Sequence, residues 1–287
     1  MKNNNGNLEE EPPSYDHAFQ SNIDPDNQVY RLGKYRDASF DSFERGEMFV
    51  QAFSNQIDAF PIMQAQEVGQ RGFLNTIQID TNIQNNQLFK HIKANLQNPA
   101  YVVEQPDNVR FWPAFRPNCG PLEDFDATAL ASHPFLKIAE YNGQNQYENQ
   151  TMTQHYFEIT VQQAGPDVVM AIGLCTRPFP IFRMPGWNKF SVGYHSDDGH
   201  KFCDDATGGQ PFGPSWTVGD TVGCLYSPET GNVTFTLNGI IAGQAFSGLV
   251  RHHYFPSIGA DGPAQIQVNF GRQPFKYSIE NWAGQYI

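Results

Sequence analysis

The hydrophobic pattern of the 287-residue chain changes its period near residue 130. Beyond that point, apolar and polar residues alternate at a period of two in short segments, which is typical of half-buried β-strands. The segments are rich in β-branched and aromatic residues, and Gly, Pro, Asn or Asp separates them. We therefore predict strands at residues 156–162, 168–175, 190–196, 220–227, 233–239, 254–260 and 265–271.

The residues between these segments predict antiparallel pairing. Asp198-Gly199 suits a two-residue hairpin turn, and residues 229–232 and Asn238-Gly239 supply further turns that need positive φ. Pro256 has no N–H to donate to a neighbouring strand, so residues 254–260 are expected to form an edge strand or to begin after Pro256. The pattern as a whole indicates an all-β domain.

The chain before residue 130 has a looser apolar spacing of three and four. This spacing predicts a helix within residues 42–60, which Asp41 or Ser42 can cap and Gly46 weakens. A second helix is predicted at 85–99, where Pro99 ends it.

The first 28 residues are polar and have no hydrophobic periodicity, so they predict a disordered arm. We expect three regions: this arm at 1–28, a helical or irregular extension at 29–69, and one β domain at 70–280.

Charge and composition narrow the class of partner. A formal charge of −12 and a pI near 5.0 argue against nucleic acid, which needs clustered Lys and Arg. The longest uncharged apolar run, 168–175, is too short to cross a bilayer, so no membrane span is expected in this chain. The four cysteines are widely spaced and are expected to be reduced.

Two histidine-containing segments are candidates for an enzyme or metal site. If Asp198-Gly199 forms a two-residue turn, His195, Asp197 and His200 converge as three ligands. The same stretch also fits a hairpin whose aspartates only shape the turn. His252 and His253 are adjacent and would point to opposite faces of a strand, which makes a shared role unexpected. No nucleophile elbow or phosphate loop is present, and we expect no cofactor.

The segment "RPFPIFRMPGW" (177–187) combines aromatic residues, prolines and arginines, which protein interfaces favour. In one interpretation, Phe179 and Phe182 are buried beneath the loop and Trp187 closes the end of the domain. In the other, Arg177, Arg183 and Trp187 are exposed to a partner. Tyr194, Trp216, Phe235 and Phe270 occupy strand-like surroundings and are expected in the core.

A long series of motifs in the second half of the chain resembles the SPRY domain. The series comprises "PGWNKFSVGYHSDDGHKFCDDATGGQPFGPSWTVGDTVGC" (185–224), "SPETGNVTFTLNGIIAGQAF" (227–246) and "YFPSIGADGPAQIQVNFGRQPF" (254–275), within a likeness that covers 156–277. The resemblance implies a sandwich of two antiparallel sheets, with further strands between residues 70 and 150. It also implies that loops at one end bind a protein partner; the expected residues are Arg177, Phe179, Arg183, Trp187, Asp197 and Asp198.

Two kinds of SPRY protein share these motifs. The segments "GYHSDDGHKF" and "QPFGPSWTVGDTVGC" are similar to Ran-binding protein M, a substrate receptor of a multisubunit ubiquitin ligase. The segments "AIGLCTRPFPIFRMPGW" and "FPSIGADGP" resemble fungal adaptors of the WW-domain HECT ubiquitin ligase, which select endosomal and vacuolar membrane proteins for ubiquitination. Those adaptors carry a Pro-Pro-x-Tyr motif ahead of the domain.

The stretch "EEEPPSYDHAF" (9–19) contains such a motif. Pro12 and Pro13 have a fixed φ and favour the polyproline II form that WW grooves bind, and the ring of Tyr15 fits a second pocket. The first hypothesis is a noncatalytic cytoplasmic adaptor, recruited to endosomal or vacuolar membranes, whose SPRY loops hold a protein substrate. The second is a receptor of the Ran-binding protein M type, and the third is a metal-dependent enzyme built on the His195 hairpin.

Overall fold

The computed structural model describes residues 38, 40–58, 60, 62–71, 75–78, 101–105, 107–111, 126–136, 153–250, 252–278 and 285–286. All of them belong to one compact unit, residues 37–287. The arm predicted at 1–28, with its Pro-Pro-x-Tyr motif, and the helix predicted at 85–99 lie outside the described residues.

The described elements are two helices followed by short strands. The helices are α1 (Phe40–Phe53) and α2 (Ile62–Arg71). The strands are β1 (Ile77–Gln78), β2 (Tyr101–Gln105), β3 (Asn108–Phe111), β4 (Ala127–Ala131), β5 (Thr153–Ala164), β6 (Met170–Cys175), β7 (Ser191–His195), β8 (His200–Cys203), β9 (Gln210–Pro211), β10 (Thr221–Ser227), β11 (Asn232–Leu237), β12 (Ile240–Phe246), β13 (Phe255–Ala260), β14 (Ala264–Asn269) and β15 (Gln285–Tyr286).

These strands form two antiparallel sheets packed face to face. One sheet has the order β1-β4-β13-β6-β7-β8-β9, and the other has the order β12-β11-β10-β5-β14-β3-β2, with β15 added beside β5 in parallel. Inward-facing residues of both sheets make the main core, which includes all four predicted core aromatics: Tyr194, Trp216, Phe235 and Phe270. The all-β sandwich predicted from the sequence is confirmed.

All seven strands predicted beyond residue 130 are present, with ends that shift by up to three residues. The expectation for Pro256 is wrong, because β13 pairs with both β4 and β6 and is therefore a central strand. The register explains how the sheet accommodates the proline. Pro256 pairs only with Leu174 of β6, and pairing with β4 starts one residue later, at Ser257.

The helix predicted within residues 42–60 is present as α1, but it ends earlier than the prediction placed it. Helix α1 stops at Phe53, whose carbonyl oxygen accepts the N–H groups of Gln56 and Ile57 at 2.7 and 3.0 Å. The chain then turns through Asp58, which has a φ of 70°. We call the described residues between 38 and 71 the belt, because they run across the outer face of the seven-stranded sheet.

The other sheet is covered on its outer face by the segment that follows β14. The rings of Phe275 and Tyr277 lie 4.8 and 5.6 Å from the ring of Tyr156 on β5. The backbone N–H of Lys276 donates to the buried carboxylate of Glu158 at 3.0 Å. Of the four cysteines, Cys175, Cys203 and Cys224 lie among the described residues, and all three are free thiols, as predicted.

Candidate partner-binding surface

The loop between β6 and β7 lies flat on the outer face of the seven-stranded sheet. Two glycines of the sheet make this close approach possible. A Cβ atom at Gly193 would lie 2.2 Å from the carbonyl oxygen of Pro185, and one at Gly259 would lie 2.6 Å from Cδ of Pro185 and 2.9 Å from Sδ of Met184. The loop is therefore part of the packed structure, because the sheet beneath it lacks the side chains that would hold it away.

Most of the large side chains in this loop are buried. Phe179, Phe182 and Trp187 are all inaccessible to solvent, and the indole of Trp187 packs against Phe202 and His195. This arrangement confirms the interpretation that Phe179 and Phe182 are buried beneath the loop. The expectation that Phe179 and Trp187 contact a partner is wrong, because neither side chain is exposed.

Arg183 is also buried, with only 2% of its surface exposed, which contradicts the expectation of an exposed cation. The physical reason is helix α1, which passes directly over it. Gly46 faces the guanidinium so closely that a Cβ atom there would lie 1.9 Å from Nη1. The backbone carbonyl of Arg183 accepts a hydrogen bond from the hydroxyl of Thr128, which fixes the loop to β4.

Helix α1 covers the neighbouring part of the loop through aromatic contacts. Phe49 and Phe53, one helical turn apart, pack with Phe182 in a small apolar cluster, with their own rings 4.5 Å apart. The guanidinium carbon of Arg45 lies 4.8 Å from the centre of the Phe182 ring. Of the two interpretations of this loop, the one that exposes it to a partner is wrong here, because the belt closes over it.

Arg177, unlike Arg183, is only half-buried. Its guanidinium donates to the carbonyl oxygen of Ala131 at 3.1 Å and lies 4.6 Å from the ring centre of Phe255. Its own carbonyl oxygen accepts the backbone N–H of Asp58 at 3.1 Å. Arg177 therefore joins the sheet to the belt, and only part of its side chain faces solvent.

Asp58 binds both of the adjacent histidines, His252 and His253. Its Oδ2 atom lies 2.8 Å from Nδ1 of His252, and its Oδ1 atom lies 2.6 Å from the backbone nitrogen and 3.0 Å from Nδ1 of His253. Both histidines precede β13, so they do not alternate as strand residues and can contact the same carboxylate. Partial burial opposes ionisation of Asp58, but the hydrogen bonds from the histidines prevail and keep its pKa below the ordinary value.

The hairpin at His195 does not assemble the three ligands proposed for a metal. Tyr194 pairs with Lys201, so the connection spans residues 196–199, and the expected two-residue turn is wrong. The buried Nε2 of His195 lies 2.9 Å from the carbonyl oxygen of Pro185, and burial lowers the pKa of His195 to about 4. His200 instead pairs with Asp198 at 2.9 Å. The residues that the structure describes contain no cluster of three or more His, Cys, Asp or Glu side chains able to hold a metal ion.

Asp197 and Asp198 lie at the tip of this hairpin. Asp197 reaches solvent, whereas Asp198 turns back to accept the backbone N–H of His200 at 2.8 Å. Although its edge is exposed, the carboxylate of Asp197 loses part of its hydration to the surrounding chain, and this loss, with the charge of Asp198, raises its pKa to about 6. The tip belongs to the end of the sandwich where β5 turns into β6 and β13 turns into β14. Among the described residues, Pro166, Asp167 and Asp197 are exposed at this end.

The sequence analysis did not single out Asp58 or assign a contact to Gly46. Asp58 offers no local signal, since a lone aspartate after a helix is common. Gly46 does offer one, because a glycine inside a helical pattern indicates a close packing contact. Its partner, Arg183, is 137 positions away in the sequence and could not be identified without the fold.

The sequence model of the SPRY domain matches residues 154–273, which run from β5 through β14 to the turn after it. These residues form a SPRY domain. They carry the hairpin tip, the loop under the belt and the two histidines that bind Asp58. The SPRY domain is a protein-interaction module, which agrees with a site made of loops and without a metal cluster in its described part.

Several relatives share this domain. Ran-binding protein 10 of Danio rerio is 41% identical over 133 residues, which are 46% of this chain and 22% of that protein. Ran-binding protein 9 of Homo sapiens is 40% identical over 133 residues, and protein ssh4 of Sclerotinia sclerotiorum is 36% identical over 131 residues, or 45% of this chain and 25% of that protein. The match spans about a quarter or less of the length of these relatives.

Among solved structures, a human SPRY domain superposes with a TM-score of 0.46 at 23% identity and covers 61% of this chain and 98% of that one. The SPRY domain of human HERC1 gives the same TM-score at 14% identity and covers 62% of this chain and 99% of that one. Within the described residues, neither helix has the length and apolar character needed to cross a membrane.

Proposed function

We propose that this protein is a noncatalytic ubiquitin-ligase adaptor. Pro12, Pro13 and Tyr15 bind a WW domain of a HECT ubiquitin ligase, and the SPRY domain holds the substrate so that its local concentration near the ligase rises. The observation that carries the proposal is the occurrence of a Pro-Pro-x-Tyr motif ahead of a SPRY domain in one chain. The similarity to ssh4 proteins of two fungi supports it.

The substrate contacts belong to the open end of the SPRY domain. The belt buries Phe179, Arg183 and Trp187, whereas Asp197 reaches solvent at the hairpin tip. We assign the first contacts with substrate to Asp197 and Asp198 and to the loops beside them. The substrate class in this proposal is a membrane protein sorted at endosomes or the vacuole, which the adaptor reaches from the cytoplasm.

A peptide titration tests the ligase contact. A labelled peptide of residues 7–20 is titrated with WW domains of the HECT ligase, and a Tyr15→Ala peptide serves as the matched control. A motif this short is expected to bind with a Kd in the micromolar range, about −8 kcal/mol, and the control is expected to lose that binding. Absence of binding at about 1 mM, weaker than about −4 kcal/mol, would rule the contact out.

A second function is favoured by the relatives with higher identity. Ran-binding proteins 9 and 10 are 40–41% identical to this chain, compared with 36% for the ssh4 proteins. In this alternative, the chain is a substrate receptor of a multisubunit ubiquitin ligase, and the Pro-Pro-x-Tyr motif has no role. Affinity purification separates the two functions: the receptor co-purifies with a large complex that Tyr15→Ala leaves intact, whereas the adaptor loses its ligase in that variant.

A further inference from the structure

The belt and the sandwich are packed as two separable layers. The main core between the two sheets contains no belt residue among those that the structure describes. The belt instead contributes to small clusters on the outer face: Phe49 and Phe53 with Phe182, Phe60 with Phe255, and Ala65 with Leu136. Because stability is local where clusters are separate, the belt can leave the face while the main core stays intact.

The sequence of α1 fits the surface beneath it better than it favours an isolated helix. Gly46 costs helix stability at a mid-helix position, and it is accommodated because the Arg183 guanidinium occupies the space of a side chain. Phe49 and Phe53 then fill the apolar part of the surface beside Phe182. Helix α1 therefore resembles a docked ligand that acquires its structure by binding.

A polar latch secures the end of this helix. Asp58 accepts hydrogen bonds from both His252 and His253, and its own N–H donates to the carbonyl oxygen of Arg177. The ring of His252 packs against that of Phe190 at a tilt of 33°, with ring centres 4.1 Å apart. The latch therefore binds one carboxylate, which lies at a set number of residues after Phe49 and Phe53 of α1.

Removal of the belt would uncover a surface with the composition of a binding site. It would present Phe182, Arg183, His252 and His253, which are the residues that the belt contacts. Arginine and aromatic residues in a closely packed setting are the residues that dominate interface energies. We call this surface the belt groove.

We propose that the belt groove is an exchangeable helix-binding site whose resident occupant is α1. Its second occupant is an amphipathic helix of a partner protein with the same pattern: a small residue, aromatic residues three and seven positions later, and a carboxylate twelve positions later. Gly46, Phe49, Phe53 and Asp58 define this pattern. The site differs from the open loop end assigned to the substrate, and the inference does not depend on the motif at residues 12–15.

Hydrogen exchange on the full chain tests whether the belt detaches. In the wild type, the amides of α1 are expected to exchange at least tenfold faster than those of β10, and Asp58→Asn is expected to speed α1 exchange by a further tenfold or more while β10 is unchanged. Detachment also speeds exchange at Arg183 and Trp187, whose N–H groups bond within the loop beneath α1. If α1 and β10 exchange at one rate, or if Asp58→Asn shifts both together, the groove is not exchangeable and the proposal is wrong.

A peptide in trans tests the proposed occupant. A fluorescent peptide of residues 38–60 is titrated into the full Asp58→Asn chain and into the wild type. Binding to the variant is expected to be at least tenfold tighter, because its resident belt is held less firmly. The control peptide carries Gly46→Leu, which places a side chain where Arg183 lies and is expected to weaken binding at least tenfold. Equal binding of both peptides, or of both chains, contradicts the proposal, as does failure to bind at all.

Discussion

At the scale of single residues, glycines decide how closely the loop between β6 and β7 approaches the sheet. Gly193 lies beneath Pro185, whose carbonyl oxygen also pairs with Nε2 of His195. We predict that Gly193→Ala destabilises the protein by about 1–3 kcal/mol, because backbone and a fixed hydrogen bond must move to admit the methyl group. Urea denaturation at pH 7 measures this change.

Gly219→Ala separates crowding from backbone strain. Gly219 has a φ of 91° but no atom within 4 Å of the position of a Cβ atom, so its substitution costs only the strain of that conformation, about 1 kcal/mol. Gly193→Ala should be the more destabilising of the two. A smaller loss of stability at Gly193 than at Gly219 would show that the loop moves away from the sheet at little cost in free energy, contrary to the prediction.

Asp58 gives a prediction for the dependence of stability on pH. Replacement by Asn removes a charged acceptor of two histidines, and a loss of about 1–3 kcal/mol is expected at pH 7. Because the folded protein holds the pKa of Asp58 below 3.8, the contribution of the carboxylate is complete above that value and is lost as the pH falls through the folded pKa. The difference between wild type and variant should therefore persist at pH 5 and shrink below pH 3.8.

Glu47→Gln is the matched control for this experiment. Glu47 lies on the exposed side of the same helix. The loss of its charge should therefore change the free energy of unfolding by less than about 0.5 kcal/mol at each pH. Thermal or urea unfolding at pH 7, 5 and 3 supplies the comparison. A difference for Asp58→Asn that grows steadily towards pH 3 would contradict the assigned direction of the pKa shift.

At the scale of elements, strands were predictable wherever the local sequence alone determined the alternation of apolar and polar residues or the turn. The alternation in "VTFTLNG" identifies β11, and Asn238-Gly239, with φ values of 53° and 81°, forms the predicted turn after it. The prediction for Pro256 was wrong because the effect of a proline on strand pairing depends on which neighbouring strands pair at its position. That pairing is a property of the whole sheet. The turn predicted after His195 was wrong for a similar reason, since several turn lengths are compatible with its residues.

The edge strand β12 shows how one side chain joins the two sheets. Lys201, on β8 of the seven-stranded sheet, donates from Nζ to the carbonyl oxygen of Ala245 on β12 at 2.7 Å. Its ammonium lies 5.9 and 5.2 Å from the ring centres of Phe212 and Phe246. The charge is therefore held between two aromatic faces at the side of the sandwich.

We predict that Lys201→Met weakens this side of the sandwich. Methionine keeps the apolar stem but loses the hydrogen bond and the cation–π contacts, at an expected cost of about 1–2 kcal/mol. Hydrogen exchange should speed up in β12 more than in β5. Lys189→Met, at an exposed position whose ammonium lies 5.6 Å from the ring centre of Phe190, is the control and should leave β12 unchanged. Equal effects of the two substitutions would remove the role assigned to Lys201.

At the scale of the whole molecule, the sequence predicted the sandwich but not the layer over it. The residue types of 177–187 are those of an interface, and they do form one, but with α1 of the same chain. Arg183 and Gly46 meet only after β6 and β13 have placed the loop beneath the belt. Contacts of such sequence separation depend on the complete topology, so the local pattern could not decide whether this loop is exposed or covered.

The last prediction concerns a chain that begins at residue 72 and therefore lacks the belt. Its main core is intact, so it should fold into the sandwich and keep the near-ultraviolet circular dichroism of buried aromatic residues such as Tyr194 and Trp216. The uncovered face, with Phe182 and Phe255 at its surface, should make the shortened chain self-associate, since large exposed apolar patches do so. Sedimentation velocity measures the association, and a peptide of residues 38–71 should restore the monomer. Loss of the folded signal would show that belt and sandwich are one cooperative unit, whereas a folded chain that remains monomeric would contradict the predicted self-association.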